Sequence, residues 1–320
     1  MQFRPLELFC SVAEYRSFSR AAGEFALTQS AVSQAVQQLE EDLGVQLLDR
    51  THRPLVLTQA GDCYFRQVQP LLRSYHRIEQ EVRSIGGKVA GLLNVGAIYS
   101  IGSAYMPAAK LEFRRRFPDV NVRFEYSSSE GVAKLVEDGT VDLGFVSYAR
   151  SSSKLKAIAW QQEPMRVICA PDHPFAKLPE IEISQLNGCE LVGFDSSLKV
   201  RRAVDAFLTR NGVTVDVTME FDNIDSMIRA VEANSGISIL PEATVRKETA
   251  DGSLRVVACK QMKLTRPLGI IVKRAGKPTR AADEFASMLI GHPMEPATKP
   301  PKNKKGSSSN PTEKGVSVVA

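Results

Sequence analysis

The stretch LELFCSVAEYRSFSRAAGEFALTQSAVSQAVQQLEEDLGVQLLDRTHRPLVLTQAG, residues 6–61, decides the fold of the N-terminal region. Its apolar residues recur at spacings of three and four, which predicts three short helices. Ser19 is a suitable N-cap for the second helix, and Thr28 for the third, which ends at Gly44. The β-prone residues on either side of the segment 51–54 predict a small hairpin or wing.

A long helix is predicted to begin after its cap, Thr58. Apolar residues alternate spacings of four and three along it, a heptad seam that implies a partner helix. A seam packed onto its own domain is the alternative, which the strongly polar flanks make less favourable. Pro70 removes one backbone donor and predicts a kink. The seam residues are Tyr64, Val68, Leu71, Tyr75, Ile78, Val82 and Ile85.

From Gly91 the pattern changes to strands that alternate with amphipathic helices. Such alternation predicts βαβ units on parallel sheets with helices on both faces. A strand at LGIIVKR and a helix near 279–290 follow the second series of strands, which suggests that the chain returns to a first lobe. Two lobes joined by two crossings would form a cleft.

Charge and composition exclude several classes of protein. The net charge is +5, but residues 1–90 hold ten basic and ten acidic side chains, whereas the tail 296–320 holds five Lys and one Glu. The basic character therefore gives no argument for DNA, and the Pro-, Ser- and Lys-rich tail is predicted to be disordered. No apolar run reaches the roughly 18 residues that span a bilayer, and no export signal is evident, so we expect a cytoplasmic protein without a membrane partner.

Neither catalysis nor metal binding is indicated. The five cysteines are scattered without a CxxC pair, and the four histidines lie far apart. The motifs GxSxG, GxGxxG and GxxxxGK[ST] do not occur, so we expect no enzyme and no cofactor. A solute-binding or sensor protein is the stronger alternative, but it would have no need of the first ninety residues.

Residues 6–61 resemble the winged helix-turn-helix of LysR-type transcriptional regulators. The matching features are the pairs Ala21–Ala22, Gln29–Ser30, Leu39–Glu40, Leu43–Gly44 and Leu57–Thr58, in that order. The phrases LVEDGTVDLGFVS (135–147) and NIDSMIRAVEANSGISILP (223–241) are similar to the family's effector domain. The tail after residue 295 has no counterpart in the family.

The resemblance implies an α/β chain that regulates transcription. Its parts would be a winged helix-turn-helix, a long linker helix, and a two-lobed effector domain like a periplasmic binding protein, for a small-molecule co-inducer of unknown identity. We expect a dimer through the linker helix and, by resemblance, a tetramer, with RNA polymerase as a further partner. The predicted divisions are 1–58 for DNA binding, 59–90 for the linker, 91–295 for the effector domain (lobe I about 91–164 and 267–295, lobe II about 165–266) and 296–320 for the tail.

Base recognition is predicted on the outer face of the third helix, because a helix fits the major groove of DNA. Neutral Gln and Ser side chains can bond base edges there, and Gln34 stands where many family members carry Arg. Phosphate contacts are expected from helix N-termini and basic side chains, and two-fold symmetry predicts a partly palindromic operator. A salt bridge to Asp49 or Glu40 is the alternative for Arg50. The candidates are Arg20, Thr28, Gln29, Ser30, Ser33, Gln34, Gln37, Arg50 and Arg53.

Effector contacts are predicted where small hydroxyls follow the strands of the two lobes. Neutral donors at helix starts suit an anion, often a carboxylate or sulfate, although capping is at least as good an explanation for any one of them. Ser100 and Ser128 are the positions that resemble the family's. The candidates are Ser100, Ser103, Ser128, Ser129, Ser147, Arg202 and Asn223.

Overall fold

The computed structural model describes residues 3–84 and 88–292, so the predicted tail and Ile85 of the seam lie outside the described residues. The N-terminal unit has three helices around a core that contains Phe9, Val12 and Val36. The first elements are α1 (Phe3–Tyr15), α2 (Phe18–Glu24), α3 (Gln29–Leu43), β1 (Leu48–Asp49), β2 (Val56–Leu57) and α4 (Gln59–Ser84).

The caps of the N-terminal helices are largely as predicted. The Thr28 hydroxyl accepts a hydrogen bond from the Ala31 amide, and Gly44 ends α3 with a φ of 67°, so both predictions are confirmed. The Ser19 prediction is wrong: α2 begins at Phe18, and the Ser17 hydroxyl accepts from the Arg20 amide. Ser17 has the extended backbone that a cap requires, whereas Ser19 already lies in the first turn.

The predicted wing is confirmed as a hairpin in which Leu48 lies opposite Leu57. The Thr58 hydroxyl accepts from the Gly61 amide at 3.0 Å, as expected of the cap of α4. A Cβ atom on Gly61 would lie 1.9 Å from the carbonyl oxygen of Leu47. Only glycine therefore allows α4 to approach the wing this closely.

The apolar seam of α4 divides between two surfaces, so the prediction of one continuous dimer seam needs correction. Val68 is buried in the core of the N-terminal unit, and the ring of Tyr75 stacks on Phe3 with centroids 4.2 Å apart. Leu71, Ile78 and Val82 are instead 50%, 53% and 61% exposed. The alternative, packing onto the helix's own domain, thus applies to part of the seam.

The remaining chain forms a mixed sheet of seven strands in which β9 also pairs β6, a separate parallel pair β7–β8, and surrounding helices. The sheet order is β10-β6-β11-β5-β3-β4. The elements are β3 (Gly91–Ile98), α5 (Tyr99–Arg116), β4 (Val120–Ser127), α6 (Ser129–Asp138), β5 (Leu143–Ser147), β6 (Leu155–Cys169), β7 (Glu190–Phe194), α7 (Lys199–Arg210), β8 (Asp216–Phe221), α8 (Ile224–Glu232), β9 (Ser238–Pro241), α9 (Arg246–Asp251), β10 (Arg255–Val257), β11 (Thr265–Lys273) and α10 (Arg280–Ile290).

The prediction of parallel sheets is correct for β3, β4 and β5 and for β7 and β8, and wrong for the rest. Strand β11 is antiparallel to both β5 and β6, and β9 and β10 are antiparallel to β6. The reason is that β6 leaves the first part of the domain while β11 returns to it, and adjacent strands that cross in opposite directions must be antiparallel.

Two hydrophobic cores divide this region. One holds buried residues between 93 and 155 and between 268 and 286, and the other holds residues between 165 and 262; we call the parts built on them lobe I and lobe II. Strand β6 pairs with β11 as far as Pro164 and with β9 from Met165 onward. The lobes are therefore joined through continuous strands. No helix in the described part of the chain is both long and apolar enough to cross a membrane.

Candidate nucleic-acid interface and ligand cleft

The outer face of α3 is polar and open to solvent. Val32, Val36 and Leu39 hold the opposite face in the core, which fixes the direction in which the polar side chains point. On the outer face, Gln37 donates to Glu41 at 3.0 Å, and Thr28 and Ser30 share a hydrogen bond of 3.1 Å. The predicted base-contact residues Gln29, Ser30, Gln34 and Gln37 are exposed, and Ser33 is half-buried.

The two wing arginines have different surroundings. Arg50 donates to the Glu40 carboxylate at 2.8 Å and lies 5.6 Å from the centre of the Phe18 ring, so the salt bridge considered as its alternative role is formed. Arg53 is exposed and makes no ion pair within residues 3–84 and 88–292. Arg20 is exposed in the first turn of α2. Arg53 and Arg20 are therefore available to phosphates at little cost.

The predicted lobe I effector residues share one edge of the sheet. Ile98 lies beside Ser127 in the parallel pair β3–β4, and Ala97 lies beside Phe145 in the pair β3–β5. The carboxyl ends of these three strands are thus adjacent. This register brings together the segments that carry Ser100 and Ser103, Ser128 and Ser129, and Ser147.

These serines differ in their positions and in the hydrogen bonds that they make within the chain. Ser128 caps α6 by accepting from the Gly131 amide at 3.1 Å, so the capping alternative holds for it. Ser103 is exposed in α5, with its hydroxyl 3.5 Å from the Ser100 carbonyl oxygen. Ser129 is the first residue of α6, and Ser147 ends β5. A capping hydroxyl keeps a second lone pair and its own proton for a ligand.

The lobe II candidates lie at the carboxyl ends of β7 and β8, where Phe194 faces Phe221. Asn223 caps α8 by accepting from the Ser226 amide at 2.8 Å. Arg202 donates to the Ser197 carbonyl at 2.8 Å. Both candidates therefore have structural roles at the edge that would face a ligand.

A buried charged network at the lobe boundary escaped the sequence analysis. Arg266 and Glu163, 3% and 2% exposed, form an ion pair of 2.6 Å between the crossing strands. The Tyr105 hydroxyl donates to Glu163 at 2.8 Å, and Arg266 donates to the Ser100 hydroxyl at 3.1 Å. Burial and the Glu163 carboxylate raise the pKa of Tyr105, which keeps the phenol protonated.

This network places Ser100 in electrostatic contact with a guanidinium whose charge Glu163 balances. The sequence holds one sign of the network. In EPMRVIC (163–169) and RPLGIIV (266–272), a charged residue stands directly before a proline and an apolar run. Tyr148, which follows the edge serine of β5, has a φ of 52° and packs against the core of lobe II. The serine edge of lobe I therefore lies next to lobe II.

Two family models match the chain. The model described as "Bacterial regulatory helix-turn-helix protein, lysR family" matches residues 3–62, and the model described as "LysR substrate binding domain" matches residues 86–293. The chain is 33% identical over 238 residues to the uncharacterized HTH-type transcriptional regulator YfeR of Shigella flexneri, covering 74% of this chain and 77% of that protein.

The fold is shared with solved structures, of which two illustrate the two halves of the chain. Full-length CbnR in complex with its target DNA superposes with a TM-score of 0.65 at 19% identity, covering 90% of this chain and 99% of that one. The effector binding domain of QuiR in complex with shikimate superposes with a TM-score of 0.56 at 18% identity, covering 63% of this chain and 96% of that one.

Proposed function

The chain belongs to the LysR family of DNA-binding transcriptional regulators, and on that premise we propose that a small anionic effector in the cleft controls its operator binding or promoter activation. It is a regulator and not an enzyme, with a helix-turn-helix unit and an effector-binding domain. The observation that carries the proposal is the serine edge of lobe I, where Ser100 accepts from the buried Arg266.

DNA recognition on this proposal comes from the neutral outer face of α3. Gln29, Gln34 and Gln37 would bond base edges, with Ser30 and Ser33 beside them. Phosphates would be bound by Arg53 and Arg20 and by the N-terminal turn after Thr28, where backbone amides point outward. Arg50 is proposed as a weaker phosphate contact, because its bond to Glu40 would have to be shared.

The effector is proposed to be a small carboxylate or similar anion. Ser100, Ser103, Ser128, Ser129 and Ser147 would supply hydroxyl donors from lobe I, and Arg202 and Asn223 would approach from lobe II. Glu163 balances the charge of Arg266. Arg266 can therefore polarise the Ser100 hydroxyl without making the serine edge a general anion-binding site. The shikimate bound by QuiR, itself a carboxylate, supports the same class of ligand.

A redox signal read by thiols fits this chain less well. A reactive cysteine needs a lowered thiol pKa. Burial instead raises the pKa of Cys10 to about 12 and that of Cys169 to about 11, and it also raises the pKa of Cys189 and Cys259. Four of the five thiols are thereby kept protonated and poorly nucleophilic.

The proposal extends to the oligomeric state, the partners and the domain divisions of the chain. We propose a dimer through the exposed part of α4, a tetramer on two partly palindromic half-sites, contact with RNA polymerase, and a cytoplasmic location. The proposed divisions remain 1–58 for DNA binding, 59–90 for the linker and 91–295 for the effector domain. The complex of full-length CbnR with its target DNA supports the two-part division of labour.

The experiment uses the full chain and the promoter of the neighbouring, divergently transcribed gene. Footprinting should reveal two protected half-sites, and the variant Gln34→Ala should lose discrimination between this promoter and unrelated DNA. Gln67→Ala, which changes an exposed glutamine on α4, is the matched control and should bind as the parent does. Equal loss in both variants, or no protection by the parent, would refute the proposed readout.

A further inference from the structure

A cavity of about 450 Å³ separates the C-terminal half of α4 from lobe I. Arg73 and Arg77 line it from the helix. Asn94 in the first half of β3, Asp142 directly before β5 and Lys273 at the end of β11 line it from the lobe. The parallel strands begin here and end at the proposed effector cleft. The cavity, called the junction cavity below, is therefore at the opposite end of lobe I from that cleft.

The walls of the junction cavity bring four permanent cations together: Arg73, Arg77, Lys273 and Lys277. Three carboxylates, of Glu79, Asp138 and Asp142, also line it, so the sum of charges is positive by one. Each carboxylate has its own neighbour. Asp142 accepts from the Asn94 amide at 2.8 Å and interacts electrostatically with Arg77. Asp138 interacts electrostatically with Arg73. Glu79 lies 3.7 Å from His76.

The two lysines have no such neighbour. Lys273 and Lys277 are exposed and take part in no ion pair within residues 3–84 and 88–292. The Lys273 amine lies 3.8 Å from the position that a Cβ atom on Gly139 would occupy, so it extends along the wall of the cavity. Across from it, the Nε atom of Arg73 is buried without a hydrogen-bond partner in the described part of the chain. A buried donor of this kind costs free energy until it is paired.

We propose that the junction cavity binds a small, multiply charged anion with carboxylate or phosphate groups. Its volume is in the range of small-molecule sites, about 300–1,000 Å³. One end of the anion would accept from Arg73 on α4 and the other from Lys273 and Lys277 on lobe I, so the ligand would link the helix of the DNA-binding half to the effector domain. Charge-assisted hydrogen bonds of this type are roughly twice as strong as neutral ones.

Such a site would be a second regulatory site, separate from the effector cleft. The ligand would favour the arrangement of α4 against lobe I that presents both sets of cations, and so would bias the position of the DNA-binding unit. A ligand changes an equilibrium between two arrangements only by its differential affinity for them. The inference does not depend on which molecule binds the cleft.

Calorimetric titration of the full chain with citrate and, separately, with inorganic phosphate tests the site, near neutral pH and at constant ionic strength. Citrate should bind, and Lys273→Ala/Lys277→Ala should weaken it about tenfold or more, as expected for the loss of two charge-assisted contacts. The charge-matched control Lys177→Ala/Lys263→Ala changes two exposed lysines of lobe II and should stay within about twofold. Citrate that binds in the proposed effector cleft instead should be lost in Ser100→Ala and kept in Lys273→Ala/Lys277→Ala.

Three results would overturn the inference. One is the absence of citrate and phosphate binding by the parent. A second is equal weakening in the two double variants, which would show unspecific screening of surface charge. The third is binding that Ser100→Ala abolishes and Lys273→Ala/Lys277→Ala preserves, because that binding belongs to the cleft. Hydrogen exchange gives an independent readout: bound citrate should slow amide exchange in residues 70–78 of α4.

Discussion

Arg266 and Glu163 lie directly opposite each other on the two strands that join the lobes, and their side chains form a buried ion pair of 2.6 Å. The pair is therefore part of the lobe connection and also a neighbour of Ser100. Three hydrogen bonds of Arg266 and one from Tyr105 satisfy the two buried charges.

Loss of one partner of this pair should be costly, because a buried charge would remain uncompensated. We expect Glu163→Gln to lower the free energy of unfolding by about 3–5 kcal/mol, measured by urea denaturation. Glu242→Gln, which breaks the half-exposed pair with Arg166 close to the same crossing, should cost less than about 1 kcal/mol. Similar losses in the two variants would contradict the role assigned to burial.

Ser128 allows capping and ligand binding to be separated. Ser128→Ala removes the cap of α6 and should cost about 1 kcal/mol of stability. Ser128→Asp keeps an acceptor for the Gly131 amide but introduces a negative charge at the proposed anion site. We expect Ser128→Asp to unfold as the parent does in urea and to lose the thermal shift given by a small carboxylate that stabilises the parent and Lys273→Ala/Lys277→Ala equally. A retained shift would remove Ser128 from the proposed site.

The unpaired Arg53 should contribute to DNA affinity through phosphate. We expect Arg53→Ala to decrease the slope of log affinity against log salt by about one, measured by fluorescence anisotropy on operator DNA. Arg229→Ala, an exposed arginine of lobe II, should leave the slope unchanged. If Arg53→Ala also leaves the slope unchanged, Arg53 touches no phosphate.

The exposed part of the α4 seam should hold the dimer together. Ile78→Glu places a charge among Leu71 and Val82. We expect sedimentation velocity to show loss of the tetramer and operator affinity to fall at least about tenfold, because the α4 contact that holds two DNA-binding units together is broken. Leu178→Glu changes a side chain of lobe II that is 42% exposed and should leave the oligomer intact. An intact oligomer in Ile78→Glu would place the dimer contact elsewhere.

Asp142 predicts a pH dependence of stability. Burial raises the pKa of this carboxyl to about 6. The folded chain therefore binds the proton up to a higher pH than the unfolded chain, and the stabilising contribution falls as pH rises from about 4 to 6. Asp142→Asn keeps an acceptor for the Asn94 amide and should raise the free energy of unfolding near pH 7 by up to about 3 kcal/mol.

Asp195 gives the control of opposite sign. Hydrogen bonds from Ser197 hold the pKa of Asp195 below its usual value, so its contribution to stability is lost as pH falls. Urea denaturation of Asp142→Asn and Asp195→Asn from about pH 2 to 7 checks the prediction. A steeper decline with rising pH in Asp142→Asn than in the parent would contradict it.

Local patterns predicted local structure well. The cap at Thr28, the left-handed end at Gly44 and the wing could be predicted because each depends on neighbours within a few residues. The antiparallel crossing of β6 and β11 could not, because their paired residues are 103 positions apart, as in Arg266 and Glu163. The division of the α4 seam depends on which of its residues α1 covers, and heptad spacing does not indicate that contact.

The site shows the same limit. Serines at strand ends are visible in the sequence, and parallel register then explains why they share an edge. The Arg266 charge next to Ser100 comes from β11, 166 positions away along the chain, so no motif around Ser100 indicates it. The ion pair of Arg50 with Glu40 likewise depends on a contact across ten residues, which local patterns indicate only as one of two alternatives.

The continuity of β6 through both lobes limits how far the lobes can move relative to each other. A strand with hydrogen-bonded neighbours on either side of Pro164 resists bending more than a free loop does, because bending would disturb the ladders that flank it. We therefore expect the lobes to respond to a ligand by a shallow elastic twist instead of a wide hinge opening. Such a movement is small at the proposed cleft, and a helix as long as α4 would enlarge it at the operator.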